Sequence, residues 1–135
     1  LHIAADRVGQ RVNTSYAWKT LAESGALVVS GSDCPVEPLD ALKNLYCAVA
    51  RQDFAGVPEG GWRPEEKLTM QQALTLCTEN LAVLEDNQQT RGTLSVGKQA
   101  DFVMVDHDLL SVLPKELLDT NVCMTAVQGE ITYRA

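Results

Sequence analysis

The chain has 135 residues, of which 45% are hydrophobic and 21% charged, ordinary values for a globular domain that exclude a disordered chain. Its net charge of −7 disfavours a nucleic-acid partner and an anionic membrane surface. No apolar run approaches the roughly 20 residues of a membrane span and no secretion signal is recognisable, so we expect a soluble, cytoplasmic protein with no nucleic-acid and no membrane partner.

The first predicted elements are a helix and a strand joined by a minimal loop. A helix is expected over 15–24, capped by Asn13 or Thr14 and ended by Gly25. The apolar, β-branched run at 26–30 then predicts a strand buried on both faces. A helix that leads directly into such a strand is typical of a parallel sheet with crossover helices.

The residues after this run bring one carboxylate to the end of the predicted strand. Gly31-Ser32-Asp33 interrupts the strand, and the prolines that follow prevent its continuation. In parallel α/β folds, ligands and catalytic groups collect at this end of the sheet. Asp33 is therefore a candidate site residue, although an aspartate after Gly-Ser is also a common turn former or helix cap. Its neighbour Cys34 is a candidate functional thiol at the same place.

A second helix and a long loop follow. Apolar residues at helical spacing predict a helix over 39–51. Residues 53–66 are rich in glycine and proline and predict a long loop that carries one tryptophan, Trp62. Two interpretations of Trp62 stay open, since it could cover a substrate or could fix the loop to the body of the protein.

The remaining elements complete an α/β part over 1–86 and a mainly β part over 87–135. A third helix is expected over 69–84, with Thr69 as N-cap and Gln72 completing a capping box. Further on, the sequence predicts a polar turn region with two short β segments around Gly92 and Gly97, a strand at 101–106, a helical turn at 114–119, and a β-hairpin formed by 122–127 and 131–134.

The cysteines and histidines suggest no local metal motif. The cysteines are far apart and form no C-x-x-C pair, which predicts neither a disulfide framework nor a zinc knuckle: Cys34, Cys47, Cys77 and Cys123. Cys47 and Cys77 fall within helical patterns and are expected to be small core residues. His2 and His107 are too distant in sequence to share a local motif, and His107 is expected in an exposed turn.

Four stretches of the chain together carry a family resemblance: Val28-Val-Ser-Gly-Ser-Asp-Cys-Pro-Val36; 39–51 with Gly60-Gly-Trp62; Leu68-Thr-Met-Gln-Gln-Ala73; and Gly92-Thr-Leu-Ser-Val-Gly-Lys-Gln-Ala-Asp-Phe-Val-Met-Val-Asp106. In this order they resemble the C-terminal portion of a metal-dependent hydrolase of the amidohydrolase superfamily. The resemblance is to the YtcJ-like branch, or amidohydrolase family 3, which includes N-substituted formamide deformylases. The last stretch resembles the superfamily's G-x-L-x-x-G-K-x-A-D-hydrophobic signature and is the most specific of the four.

The resemblance implies an α/β fold in which this chain supplies one end of a (β/α)₈ TIM barrel and part of a small β-sandwich. Residues 26–30 would form the last barrel strand, with Asp33 at its C-terminal end. The helices at 39–51 and 69–84 would follow the barrel, and 92–135 would contribute the C-terminal strands of the sandwich. Asp101 would be a structural carboxylate of the sandwich.

The chemistry implied by the resemblance is metal-assisted hydrolysis of amide-type carbon–nitrogen bonds in a small-molecule substrate. One or two divalent ions, zinc above all, would lower the pKa of a bound water. Asp33 would touch the metal, accept a proton from that water and return it to the leaving amine. Trp62 and Cys34 would lie on loops near the substrate.

The sequence departs from the family in its metal ligands. A working member also needs an H-x-H pair, a bridging lysine or acidic residue, and two further histidines, none of which is present. Because a zinc site needs about three or four protein ligands, the chain is interpreted as a fragment that binds no metal and is inactive by itself. Unpaired strand edges around 27–29 would then favour a homo-oligomer that covers them.

Two other functions are compatible with parts of the sequence. The absent histidine ligands favour a non-catalytic α+β module that binds a protein partner through the loop 53–66 and the hairpin. A small hydrolase with Cys34 as nucleophile would need a nearby base, and neither histidine is locally placed for that role.

Overall fold

A computed structural model describes residues 6–135, in which short helices precede a single small sheet. The helices are α1 (Trp18–Glu23), α2 (Ala41–Ala50), α3 (Met70–Cys77) and α4 (Glu79–Leu84), and three 3₁₀ turns occupy Gly9–Thr14, Pro64–Glu66 and Pro114–Leu118. The strands are β1 (Phe102–Val105), β2 (Val122–Val127) and β3 (Glu130–Arg134). Within the described range, every helix is too short or too polar to cross a bilayer.

The first predicted helix is shorter than expected and is capped differently. Helix α1 begins at Trp18 and has Ala17 at its N-cap, with no side-chain hydrogen bond there. Thr14 does not cap it, because its hydroxyl donates back to the carbonyl of Arg11 at the end of the preceding 3₁₀ turn. The predicted stop is confirmed, since Gly25 follows the helix with a φ of +87°, which a glycine adopts without strain.

The predicted strand at 26–30 is not a strand in the structure. The segment is irregular, and its recorded links to distant residues are a bond from Ser30 N to the Leu76 carbonyl (3.2 Å) and one from Asn80 Nδ2 to the Val28 carbonyl (2.7 Å). A β-strand requires a neighbouring strand to pair its backbone, and the one sheet described contains only β1, β2 and β3. The apolar pattern therefore correctly indicated that the segment packs on the core, which Val28 contacts. It did not provide a second strand for backbone hydrogen bonds.

Helix α2 confirms the prediction over 39–51. Asp40 is its N-cap and accepts from the backbone N–H of Leu42 at 3.1 Å and of Lys43 at 3.4 Å. The helix ends where Arg51 adopts a left-handed conformation, with φ of 59° and ψ of 36°. Its inner face is fully buried and forms the centre of the core: Leu45, Tyr46, Val49 and Ala50.

The third predicted helix has the expected cap but is divided in two. Thr69 accepts from the backbone of Gln72, and the Gln72 side chain accepts from the Thr69 N–H, so the capping box is confirmed. The break falls at Thr78, whose backbone leaves the helical region at φ −126° and ψ −80°. The Thr78 hydroxyl donates to the carbonyl of Leu74 at 2.8 Å, a return bond that bends helices.

The predicted β segments around Gly92 and Gly97 are turns in the structure. The Lys98 N–H donates to the Ser95 carbonyl at 3.0 Å and the Gln99 N–H to the Thr90 carbonyl at 2.8 Å, but neither segment pairs with a strand of the described sheet. Gly92 is needed for packing, because a Cβ there would lie 2.7 Å from that of Ala82 and its φ is +92°.

The antiparallel sheet has the order β1-β2-β3 and confirms the predicted hairpin. Gln128 and Gly129 make its two-residue turn, both with positive φ, as the favoured hairpin turns require. The carboxylate of Asp101 accepts from the Gln128 N–H at 2.7 Å and so ties the turn to the start of β1. This contact gives Asp101 a structural role at the hairpin, while its place in a β-sandwich stays a prediction.

One hydrophobic core contains residues from both parts of the chain. The buried side chains of α2 and α3 are joined by Leu117, from the 3₁₀ turn Pro114–Leu118, which is 1% exposed. The C-terminal part thus packs directly on α2. The boundary between 1–86 and 87–135 stays a prediction.

Candidate functional site

Asp33 and Cys34 lie together in one exposed turn after the extended segment. Asp33 has a left-handed backbone, with φ of 52°, and its carbonyl accepts from the Val36 N–H at 2.9 Å, so the turn is closed by its own backbone. Both side chains are exposed, and neither makes a hydrogen bond to another described side chain. Asp33 therefore follows the apolar segment, as the sequence predicts, but it lies in an exposed turn and not at the end of a strand.

A cavity of about 350 Å³ lies beneath the same segment. Residues 28–31 form one wall, and side chains of α2 and α3 form the others. Asp33 and Cys34 do not line it, although Gly31 and Glu37 on either side of their turn do. The exposed turn and the cavity are thus neighbours along the chain but separate features.

Trp62 packs against the body of the protein, and none of its aromatic or cation contacts involves Asp33. Its ring meets Tyr16 edge-to-face with centroids 5.8 Å apart, and the guanidinium of Arg51 lies 5.1 Å from its ring centroid. It does not line the cavity. These contacts match the interpretation in which Trp62 fixes the loop 53–66, while its role near a substrate stays a prediction.

Arg51 is the residue that sequence reasoning missed. It is 2% exposed, and its guanidinium lies over the rings of Trp18 and Trp62, 4.5 and 5.1 Å from their centroids. Nε donates to the Trp62 carbonyl and Nη1 to the Tyr16 carbonyl, each at 3.1 Å. Burial and the nearby Arg63 lower the pKa of this guanidinium. No local pattern indicates this burial, because the rings and carbonyls that contact Arg51 belong to other parts of the chain.

Glu66 is a second buried charge that the sequence did not reveal. It is 3% exposed, accepts from the backbone N–H of Thr20 at 3.0 Å and from the Thr20 hydroxyl, and lies 3.6 Å from Arg63 Nη2. The bond from the Thr20 hydroxyl, above all, lowers the pKa of this carboxyl below its ordinary value of 4.5. Glu66 thereby joins α1 to the loop that carries Trp62.

Glu66→Gln is expected to reduce the loss of stability in acid. Because the folded-state pKa of Glu66 is below 4.5, its carboxylate stabilises the fold fully above that pH, and the contribution is lost as the pH falls through the folded-state value. Glutamine keeps an oxygen acceptor for Thr20 but does not titrate. Urea unfolding between about pH 5 and about pH 3 should therefore show a smaller decrease for the variant. Equal decreases in the two proteins would contradict this assignment.

The histidine and cysteine expectations agree with the structure where it describes them. His107 is exposed, with Nδ1 2.7 Å from the carboxylate of Asp106, which also accepts from Asn121. Bonds from Asn121 and then from His107 hold the pKa of Asp106 well below its usual range. The cysteines are free, and burial raises the pKa of Cys47 and of Cys77. His2 lies outside the described residues.

No metal centre is assembled by the part of the chain that the structure describes. Over 6–135, no three or more histidine, cysteine, aspartate or glutamate side chains converge closely enough to hold an ion. Asp33 stands as a single exposed carboxylate, where a zinc site takes about three or four protein ligands. These residues do not fit a complete zinc site.

Comparison with known proteins identifies the family. A family model described as "Amidohydrolase family" matches residues 2–133. Over 129 residues, the chain is 33% identical to the Bacillus subtilis (strain 168) protein named "Putative amidohydrolase YtcJ", covering 95% of this chain and 24% of that protein. It is 29% identical over 115 residues to "N-substituted formamide deformylase" of Arthrobacter pascens, covering 85% of this chain and 21% of that protein.

A solved structure agrees with the sequence relatives. The crystal structure of an amidohydrolase from Thermotoga maritima MSB8 superposes with a TM-score of 0.61 at 20% identity, over 89% of this chain and 26% of that one. At this identity the likeness concerns the fold alone. The chain spans about a quarter or less of the length of the relatives described. On the family match over nearly its whole length, this chain belongs to the amidohydrolase family.

Proposed function

We propose that this chain is the C-terminal part of a metal-dependent hydrolase that acts on amide-type carbon–nitrogen bonds of a small molecule. The observation that carries the proposal is the family match over 2–133 in a chain that presents Asp33 to solvent after an apolar extended segment. The relative named as an N-substituted formamide deformylase supports a carbon–nitrogen bond as the target. In the longer protein, 26–30 would gain neighbouring strands as part of a TIM barrel, and β1–β3 would join a β-sandwich.

Asp33 is the acid–base group that this chain would contribute. A carboxylate can accept a proton from an attacking water and later donate it to the leaving amine. One side chain thus acts first as general base and then as general acid. A divalent metal, zinc in the first instance, would need its other ligands from outside the described residues, and we assign no step to it here. The isolated chain is accordingly proposed to bind no metal and to be inactive.

The other candidate functions have less support. A non-catalytic interaction module is not favoured, because the family and the relatives named above are hydrolases. A Cys34 nucleophile lacks a base in the structure, since its thiol makes no hydrogen bond to a described residue and His107 is engaged with Asp106. We keep a homo-oligomer and a cytoplasmic location as proposals, the latter supported by four cysteines that form no disulfide.

Asp33→Asn in the full-length protein that carries this segment is expected to lower kcat/KM for an N-substituted formamide by about a thousandfold. The matched control is Asp86→Asn, because Asp86 is also an exposed aspartate with a left-handed backbone, at φ 56°. The control should keep the wild-type rate. Wild-type activity in the Asp33 variant would overturn the assignment.

Metal content of the isolated chain tests the second half of the proposal. Plasma mass spectrometry should find less than about 0.1 equivalent of zinc, iron or manganese, because one carboxylate does not hold such an ion. Near-stoichiometric metal that disappears with Asp33→Asn would instead mean that the chain assembles a site with ligands from another copy or from His2.

A further inference from the structure

We propose that Asn80 is a positioning residue for the reaction: its side-chain amide holds residues 28–30 in place and thereby fixes where Asp33 meets the substrate. Because Asp33 is the proposed acid–base group, the inference rests on the proposed function. Three observations support it, namely the bond from Asn80 to Val28, the break between α3 and α4, and the short stretch of chain from Ser30 to Asp33.

The break between α3 and α4 frees a backbone acceptor at their junction. In an unbroken α-helix the Leu76 carbonyl would accept from the backbone N–H of Asn80, four residues on. The backbone leaves the helical region at Thr78, and the Leu76 carbonyl accepts instead from the N–H of Ser30 at 3.2 Å. On the other side of the break, Asn80 Nδ2 donates to the Val28 carbonyl at 2.7 Å. The junction therefore supplies one acceptor and one donor to the same extended segment.

These two bonds reproduce the contact that a neighbouring parallel strand would make. In a parallel ladder, a residue donates its N–H to a carbonyl of the partner strand and accepts from the N–H two residues further along that strand. Val28 and Ser30 are engaged in this way, and both bonds lie on one edge of the segment because alternate residues of an extended chain face the same edge. The segment is thus supported by hydrogen bonds although it lies outside the described sheet.

Asp33 lies between this support and the start of α2. Ser30 is three residues before it, while the Asp33 carbonyl accepts from the Val36 N–H at 2.9 Å and Asp40 caps α2. The Asp33 side chain is exposed, so the position of its carboxylate depends on the backbone on either side. A misplacement of about 1 Å at a reacting group can lower a rate by about a hundredfold. Loss of the support before Asp33 should therefore be visible in kcat.

The test uses the full-length protein that carries this segment and replaces Asn80 by aspartate, which has the same shape but has an oxygen in place of the donor. Asn80→Asp should lower kcat by about tenfold and change KM by less than about twofold, because substrate contacts are kept while the geometry at Asp33 is lost. Asn80→Gln keeps the amide donor and should recover most of the activity.

Asn87→Asp is the matched control and should keep the wild-type kcat. Asn87 is also a half-buried asparagine and lies just after α4, but the hydrogen bonds of that turn are made by its backbone and not by its side chain. The substitution thus introduces the same charge without removing a donor that holds 28–30.

Two readouts separate positioning from a general loss of stability. In a double-mutant cycle, Asn80→Asp should have no further effect on the residual kcat of Asp33→Asn, since it acts through Asp33. Hydrogen exchange followed by mass spectrometry should show faster exchange over 28–36 in Asn80→Asp, where the Ser30 N–H loses protection, and unchanged exchange in β1–β3.

The inference fails if Asn80→Asp keeps the wild-type kcat, if its effect adds fully to that of Asp33→Asn, or if 28–36 exchanges no faster. Wild-type activity in Asp33→Asn would overturn the proposed function, a different result from an inactive Asp33→Asn beside a fully active Asn80→Asp. Should Asn80→Asp be poorly folded, a crystal structure of the wild-type full-length protein decides. Asn80 Nδ2 within about 3.2 Å of the Val28 carbonyl supports the proposal, and a neighbouring strand bonded to that carbonyl overturns it.

Discussion

Replacing Arg51 with methionine is expected to lower the free energy of unfolding by about 3 kcal/mol, a large part of the total stability of a small domain. Methionine keeps most of the apolar stem but removes the donors to the Tyr16 and Trp62 carbonyls. It also removes the charge that lies over the indole rings of Trp18 and Trp62. These contacts join the end of α2 to Tyr16 and to the loop 53–66, so the variant loses both links at once.

Two further variants show how much of the expected loss comes from the guanidinium of Arg51. Arg51→Lys keeps a charge but not the planar fork, so it should recover less than half of the loss. Arg11→Met is the surface control, since Arg11 is exposed, and it should change stability by no more than about 0.5 kcal/mol. Urea denaturation monitored by tryptophan fluorescence measures all three variants. A loss below about 1 kcal/mol for Arg51→Met would show that the guanidinium stack contributes little.

Truncating Leu117 to alanine is expected to cost about 3 kcal/mol, within the usual range for a fully buried leucine. Leu117 is 1% exposed and belongs to the same cluster as Leu45, Tyr46 and Val49 of α2. The 3₁₀ turn that carries it is short, and the bond at its N-cap, from the Leu113 N–H to the Glu116 carboxylate at 2.6 Å, lies within the turn and does not tie it to α2. The C-terminal part should therefore loosen from α2 in this variant.

Leu113→Ala provides the matched control for this truncation. Leu113 directly precedes the same turn but is 69% exposed, so its replacement should cost less than about 0.5 kcal/mol. Chemical denaturation gives the two free energies, and hydrogen exchange of β1–β3 amides reports the loosening. If the strand amides of Leu117→Ala exchange no faster than in the wild type, the shared core does not couple the two parts.

Several elements could be predicted from local sequence because their signals act over a few residues. The capping box of Thr69 and Gln72, the hairpin around Gln128-Gly129 and the helix stop at Gly25 are each decided by hydrogen bonds or dihedral angles within one turn. The family, too, could be recognised from sequence, because its motifs are contiguous runs such as Gly92 to Asp106.

The sequence could not predict features that depend on distant partners. The run at 26–30 has strand composition, but composition does not provide a neighbouring strand, and the segment stays irregular in the structure. The break at Thr78 follows a strongly helical pattern and depends on where one hydroxyl donates. For the candidate site, Asp33 and Cys34 are proposed from a local strand-to-loop pattern, whereas Arg51 carries no local signal of its burial.

By itself, then, the amino-acid sequence determined the amidohydrolase family, the capping box of Thr69 and Gln72, the helix stop at Gly25 and the hairpin, because these depend on neighbouring residues and on short motifs. Only the tertiary structure decided which groups hydrogen-bond to the buried charges of Glu66 and Arg51. Thr20 and Glu66 are 46 residues apart, and Arg51 and Tyr16 are 35 apart, so their bonds arise when the helices pack and not from any periodicity along the chain. The cavity that Arg51 lines is the product of that same packing.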